Sequence, residues 1–152
     1  MSHLYLLKES KINFSEWILI FKAPFALFAI HAVISLPGID LYHAWPSVDI
    51  PMHFFGGASI AMAGKAFLDV LRRREFVSTL PWQIWLFLII AMVGCAAAAW
   101  ELLEFAVSEI TGLMLQGDHF DTMFDLVNGL SGGVAASLWY MFWKRAQHTN
   151  GG

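Results

Sequence analysis

Three pairs of ionisable residues are spaced three or four positions apart, which places both members of each pair on one side of a helix. The pairs are Asp49 with His53, Glu101 with Glu104, and Asp121 with Asp125. Carboxylates that meet without a cation repel one another, and either protons or a bound cation must relieve the repulsion. Carboxylates with one imidazole suit Mg, Mn, Ca or non-haem Fe, and Zn also accepts such ligands. We therefore predict a divalent-metal site formed by these six residues.

The same residues could also catalyse a reaction. A metal held among them could activate water for hydrolysis, with a carboxylate as general base and the imidazole as base or ligand. The candidates for these roles are His53, Glu104 and Asp125. The sequence contains no nucleophile elbow, phosphate-cradling glycine loop or Ser-His-Asp ordering, which argues against serine chemistry. Binding without catalysis is equally consistent with these residue types.

Two of the acids in this region have a structural alternative as helix caps. Asp49 precedes Pro51, which is typical of a helix N-cap followed by a proline in the first turn. Asp118 stands three residues before Asp121 and could cap a helix that has an acid in its first turn. Capping and metal binding both remain open for Asp49.

The remaining candidates also have structural alternatives. His53 could be a buried histidine hydrogen-bonded to Asp49, and Glu101 and Glu104 could be interfacial residues in headgroup water. Asp125 is flanked by apolar residues, where an unpaired charge costs several kcal/mol, so a purely structural role suits it least. Asn128 could orient the Asp125 carboxylate or make an ordinary interhelical hydrogen bond.

Four apolar stretches must position these residues. They cover residues 17–36, 51–71, 82–105 and 124–143. Hydrophobic residues make up 58% of the chain and charged residues 14%, against about 25% charged in soluble proteins. Each stretch has about the 20 residues needed to cross a hydrocarbon core of roughly 30 Å. We predict an all-α, integral membrane four-helix bundle, with residues 1–152 forming a single domain.

The basic residues predict the orientation of this bundle. Seven of them would lie on one side of the membrane: Lys8, Lys11, Arg72, Arg73, Arg74, Lys144 and Arg145. Because Lys and Arg favour cytoplasmic loops, both termini are predicted to be cytoplasmic. Lys22 and Lys65 are predicted to snorkel toward that side. The opposite, outward face has no Lys or Arg and collects Asp40, Asp49, Glu101, Glu104, Glu109, Asp118, Asp121 and Asp125.

The ordered motifs resemble those of the VanZ-like membrane proteins. They are Asp49-Ile-Pro-Met-His53-Phe, Glu101-Leu-Leu-Glu104, and Asp121-Thr-Met-Phe-Asp125-Leu-Val-Asn128-Gly. The stretch 116–122 is most similar to the related YjdF-type membrane proteins. The resemblance implies a multi-pass membrane architecture and this set of positions, without a defined reaction. Ile50 stands where VanZ-like proteins usually have lysine, and Glu104 where they often have glutamine, which makes the site here more acidic.

Three functions follow from these features. The leading hypothesis is a multi-pass protein of the cell membrane, which is the inner membrane if the cell is Gram-negative. Its outward site would bind a divalent cation and through it a lipid or lipid-linked envelope-precursor phosphate. The alternative is a small accessory subunit that packs its glycine-rich helix faces against partner membrane proteins. Ion or proton transport is disfavoured, because eight of the twelve acids lie at one face and few polar residues continue to the other side. A net charge of −3 without a basic stripe argues against nucleic-acid binding.

Overall fold

The described part of the chain consists of helices and their connections. The computed structural model describes residues 11–112 and 115–150, apart from the side chains of residues 144, 145 and 148–150. Its elements are α1 (Phe14–Ile34), α2 (Leu41–Ala44), a 3-10 turn (Pro46–Val48), α3 (Asp49–Arg73), α4 (Trp82–Thr111) and α5 (His119–Asn150). These described ranges contain no strand, which confirms the all-α prediction.

Three of the helices are long and apolar enough to cross a membrane. They are α1, α3 together with its preceding 3-10 turn, and α4, as judged over the described residues. Helix α5 is 32 residues long, but Asp121, Asp125 and Asn128 make its first turns more polar. Its crossing of the membrane therefore remains a prediction. The orientation also remains a prediction, since Lys8 and the side chains of Lys144 and Arg145 lie outside the part described.

Local sequence signals begin and end these helices. Asn13 and Glu16 form a capping box at the start of α1, where the Asn13 side chain accepts from the Glu16 amide and the Glu16 carboxylate accepts from the Asn13 amide. Gly112 ends α4 in the left-handed region with a φ of 73°. The Asp118 carboxylate accepts from the amides of Phe120 and Asp121, and this geometry supports the capping interpretation of Asp118.

Helix α3 is the centre of the packing. It contacts α1, α4 and α5, and its contact with α5 is the most extensive in the molecule. One apolar cluster joins α3 to α4 and another joins α3 to α1; they contain Ala61, Leu68, Ile89 and Val93, and Ile20, Ala63 and Val70, respectively. The outer faces of the helices remain apolar and exposed, as expected for surfaces that lie against lipid.

Glycines bring the backbones of α3 and α5 into direct contact. A Cβ atom on Gly57 would overlap the carbonyl oxygen of Gly129, and one on Gly132 would overlap the carbonyl oxygen of Phe54. Such close approach is the usual role of small residues between membrane helices. We call this contact of Gly57, Gly129, Gly132 and Phe54 the glycine crossing. Its glycine faces are used inside the chain, so they are not free for the partner helices of the accessory-subunit hypothesis.

Ion pairs gather at the end of α3 opposite to Asp49. Arg74 donates to Glu16 at 2.8 Å and ties this end of α3 to the start of α1. Lys65 donates to Asp69 at 2.6 Å, and its Nζ lies 4.4 Å from the centroid of the Tyr140 ring. The charge of Lys65 is therefore neutralised by Asp69, one turn along the same helix. The sequence alone predicts only that the Lys65 side chain extends toward the membrane interface.

The glycine crossing predicts different effects for two adjacent glycines of α3. Gly57→Ala should lower the free energy of unfolding by about 2 kcal/mol or more, because α3 and α5 must separate to admit the methyl group. Gly56→Ala is the matched control, since its Cβ would lie 3.8 Å from Leu27 Cδ2, an ordinary contact. Thermal unfolding in detergent measures both. Equal stability of the two variants would contradict the close contact.

Candidate functional site

The imidazole of His53 lies among carboxylates from three helices. Its Nε2 is 3.4 Å from Asp49 Oδ1 on the same helix and 3.7 Å from Asp125 Oδ2 on α5. Its Nδ1 is 3.9 Å from Glu101 Oε1 on α4. Residues that are far apart in sequence are thus brought together at the end of the helices where α3 and α5 begin and α4 ends.

This group is buried, and in the described part of the chain no ion pair joins its acids to a lysine or an arginine. Asp125 is 4% exposed and Glu101 6% exposed, while the His53 side chain is 11% exposed. The sequence has no Lys or Arg between residues 23 and 64 or between residues 75 and 143. Repulsion among these carboxylates is therefore relieved only by His53, by protons or by a cation from solution.

Three of these side chains are placed as ligands of one ion would be. One ligand atom each from Asp49, His53 and Asp125 lies within 4.8 Å of the others, and Nε2 of His53 is close to both carboxylates. Ligand atoms around a metal with bonds of about 2.1 Å are about 3.0 Å apart in an octahedron and about 3.4 Å apart in a tetrahedron. The observed 3.4 Å equals the tetrahedral spacing and 3.7 Å exceeds it slightly, while the three ligand atoms lie within 4.8 Å of one another, so the carboxylates would have to move inward to bind such an ion.

The other predicted ligands lie around this group. The indole Nε1 of Trp100 donates to Glu104 Oε1 at 2.7 Å, which fixes the orientation of that carboxylate, and Glu104 is close enough to interact electrostatically with His53 and Asp49. Asp121 is exposed and packs against Gly117, where a Cβ would overlap its carboxylate. The structure thus divides the six predicted ligands: Asp49, His53 and Asp125 converge, Glu101 faces the other side of the imidazole, and Glu104 and Asp121 flank them.

Two expectations from the sequence differ from the geometry found. Asp49 is the first residue of α3 rather than its N-cap, which is Val48, because the 3-10 turn of Pro46–Val48 already leads into the helix. The capping interpretation of Asp49 is therefore wrong. Asn128 buries its Nδ2 without a hydrogen-bond partner among the described residues, so this atom does not donate to the Asp125 carboxylate.

An aromatic group beside the acids has no clear signal in the sequence. His31 Nδ1 is hydrogen-bonded to the Tyr42 hydroxyl at 2.7 Å, and the His31 ring stands edge-on to Trp100 with 5.3 Å between centroids. Both Tyr42 and Trp100 are half-buried. Only the four-residue spacing of Trp100 and Glu104 could have indicated their hydrogen bond.

Crowding of the carboxylates predicts that a neutral substitution stabilises the metal-free protein. Asp125→Asn should raise the unfolding temperature by about 2–4 °C at pH 8 with a chelator present, since removing one buried like charge is worth about 1 kcal/mol in a chain of this size. Glu109→Gln, at an exposed acid of α4, is the control and should leave it unchanged. A fall for Asp125→Asn would instead show that its attraction to His53 outweighs the repulsion.

Comparison with known proteins places the chain in a family. No curated protein and no solved structure matches it. A family model described as "Predicted membrane protein (DUF2238)" matches residues 2–146, nearly the whole chain. The apolar helices described above agree with that description. The chain therefore belongs to the DUF2238 family of predicted membrane proteins.

Proposed function

We propose that this protein is a multi-pass membrane protein whose buried acidic site binds a divalent cation and, through it, a phosphate group of a lipid or lipid-linked precursor. The observation that carries the proposal is the convergence of Asp49, His53 and Asp125 from two helices on one small volume. A cation there would offset the repulsion of the carboxylates. It would also let a negatively charged phosphate approach a site that otherwise repels it.

The two nitrogens of His53 support metal binding over a simple buried histidine. Metal-binding histidines commonly present one nitrogen to the ion and donate the other N–H to a carboxylate, which fixes the tautomer and the ring orientation. Here Nε2 faces Asp49 and Asp125, and Nδ1 faces the Glu101 carboxylate at 3.9 Å. At 3.9 Å this contact is longer than a hydrogen bond, and Glu101 would orient the imidazole, instead of binding the ion, once the two groups close to hydrogen-bond distance. Mixed carboxylate and imidazole ligands suit Mg, Mn, Ca, Fe or Zn.

The location favours a ligand that resides in the bilayer. The site lies at the ends of apolar helices whose outer faces are exposed hydrophobic surface, so a lipid phosphate at the headgroup level would meet it without leaving the membrane. The resemblance of the three motifs to VanZ-like proteins supports the same assignment to the cell envelope. A lipid-linked envelope precursor combines the required apolar anchor with the required phosphate.

Glu104 is the residue placed to act on such a ligand if the site is hydrolytic. Its Oε1 accepts from Trp100, and it lies outside the group of three converging ligand atoms. Asp49, His53 and Asp125 would hold the ion, which would supply Lewis-acid chemistry. The Glu104 carboxylate would be the group that accepts a proton from an attacking water. His53 and Asp125 would then serve as ligands rather than as the base.

Metal analysis of the purified protein tests the cation. We expect stoichiometric binding of Mn²⁺ or another divalent ion, and we expect Asp125→Asn and His53→Gln each to weaken it by more than the roughly 10–100-fold that outer-sphere partners cost. Glu109→Gln should bind as the wild type does. Absence of stoichiometric metal at every concentration tried would disprove the proposal.

We also propose four crossings, with α5 as the fourth, both termini in the cytoplasm and the site facing outward. The support is the contact of α5 with α3, the most extensive between any two helices described, and the distribution of Lys and Arg in the sequence. This orientation would make the site accessible to envelope precursors on the outer side of the cell membrane.

Cysteine labelling in whole cells tests this topology. In a Cys95→Ala background, an impermeant maleimide should label Ser47→Cys at once, and should label Ser78→Cys and Gln147→Cys only after permeabilisation. All three positions are exposed. Labelling of Gln147→Cys in intact cells would remove the fourth crossing. A reversed pattern for the two serine variants would turn the site toward the cytoplasm.

A further inference from the structure

The hydrogen-bonded pair of His31 and Tyr42 stands against the acidic site. His31 belongs to α1 and Tyr42 to the short helix α2, and neither helix contributes one of the converging acids. The His31 ring also contacts Trp100, which donates to Glu104. The charges of Asp49 and Glu104 act on the Tyr42 hydroxyl. The pair therefore adds uncharged polar groups to a site whose other side is acidic.

The His31–Tyr42 pair has two N–H or O–H donors, and their mutual hydrogen bond uses only one of them. A neutral imidazole has one N–H and a phenol has one O–H, and their mutual hydrogen bond uses one of these two protons. If Tyr42 donates to Nδ1, the free donor is the His31 Nε2–H. If Nδ1–H donates to Tyr42, the free donor is the phenol O–H. Both tautomers thus offer one N–H or O–H beyond the 2.7 Å bond.

Neither residue uses that donor elsewhere in the described part of the chain. In this described part, the His31 and Tyr42 side chains make no hydrogen bond other than the one to each other. Burial, together with the carboxylates of Asp49 and Glu104, raises the pKa of the Tyr42 phenol well above its usual value, so the hydroxyl keeps its proton. His31 Nε2 is not among the buried side-chain atoms that lack a partner in the described part of the chain, so a ligand oxygen can reach this nitrogen and accept from it.

We propose that His31 and Tyr42 form the phosphate-recognising side of the site, donating one hydrogen bond to a phosphate oxygen whose neighbouring oxygen binds the cation. This inference rests on the proposed cation site. The acids and His53 hold the positive ion, and the His31–Tyr42 pair makes the site prefer an oxyanion partner to the cation alone. The phosphate could belong to a lipid headgroup or be free in solution, since both present the same oxygens.

The test measures how phosphate changes Mn²⁺ affinity in protein purified in maltoside micelles. Free Mn²⁺ is followed by its electron paramagnetic resonance signal in three arms: micelles alone, micelles with inorganic phosphate, and micelles with phosphatidic acid, each corrected with protein-free micelles. We expect phosphate or phosphatidic acid to tighten Mn²⁺ binding to the wild type. Tyr42→Phe should reduce that enhancement about tenfold, as expected for a lost charge-assisted hydrogen bond, and leave the affinity in micelles alone within about twofold.

Further variants keep the outcomes separate. His31→Gln should act as Tyr42→Phe does, whereas His43→Gln, at an exposed histidine of α2, and Tyr140→Phe, on the far side near Lys65, should retain the full enhancement.

An enhancement by phosphatidic acid alone identifies a lipid headgroup, and one by inorganic phosphate identifies a free phosphate. If the wild type binds Mn²⁺ but Tyr42→Phe keeps the whole enhancement, or no enhancement exists, the inference is wrong and the cation site stands. If the wild type binds neither Mn²⁺ nor any other divalent ion in the metal analysis, both the cation site and this inference are wrong.

Discussion

Electrostatic repulsion among buried carboxylates is the constraint on which the rest of this structure depends. Asp49, Glu101 and Asp125 reach the same imidazole from three helices, and the neighbouring sequence supplies no lysine or arginine. Burial of unbalanced charge in an apolar protein opposes folding. The packing of α3 against α1, α4 and α5 must therefore hold these groups together against their own repulsion, which is typical of functional rather than structural sites.

Helical periodicity explains why much of this arrangement could be predicted from sequence. The apolar stretches correspond to the long helices, and spacings of three and four correctly place Asp49 with His53 and put Asp125 on the face of α5 that meets α3. The order of the chain also predicts which helix ends share one face. These features depend only on local repeat and on membrane crossing, both of which the sequence encodes directly.

Other features depend on how the helices rotate about their axes, which no local pattern fixes. The division of the acids into three that converge and others that flank them follows from that rotation. The contact of His31 with Tyr42 further requires the particular path of residues 35–48, where Gly38 has a φ of 96° and Asp40 one of 37°. The pairing of Lys65 with Asp69 could not be predicted with certainty from the sequence either. Their four-residue spacing permits an ion pair, but the sequence equally permits a lysine that extends to the interface.

The glycine crossing also determines which ions the site could accommodate. Gly57 follows His53 by one helical turn and Gly129 follows Asp125 by one turn, so the backbone contact lies directly beneath the two ligands from opposite helices. Helices that already touch through their backbones cannot move closer there, and strong packing resists their separation. Such a gap is nearly constant in width. It would select by ionic radius: the present spacings of 3.4 and 3.7 Å between ligand atoms suit octahedral bonds of about 2.3–2.6 Å, the range of Ca²⁺, whereas ions with bonds of about 2.0–2.2 Å would need the side chains themselves to turn inward.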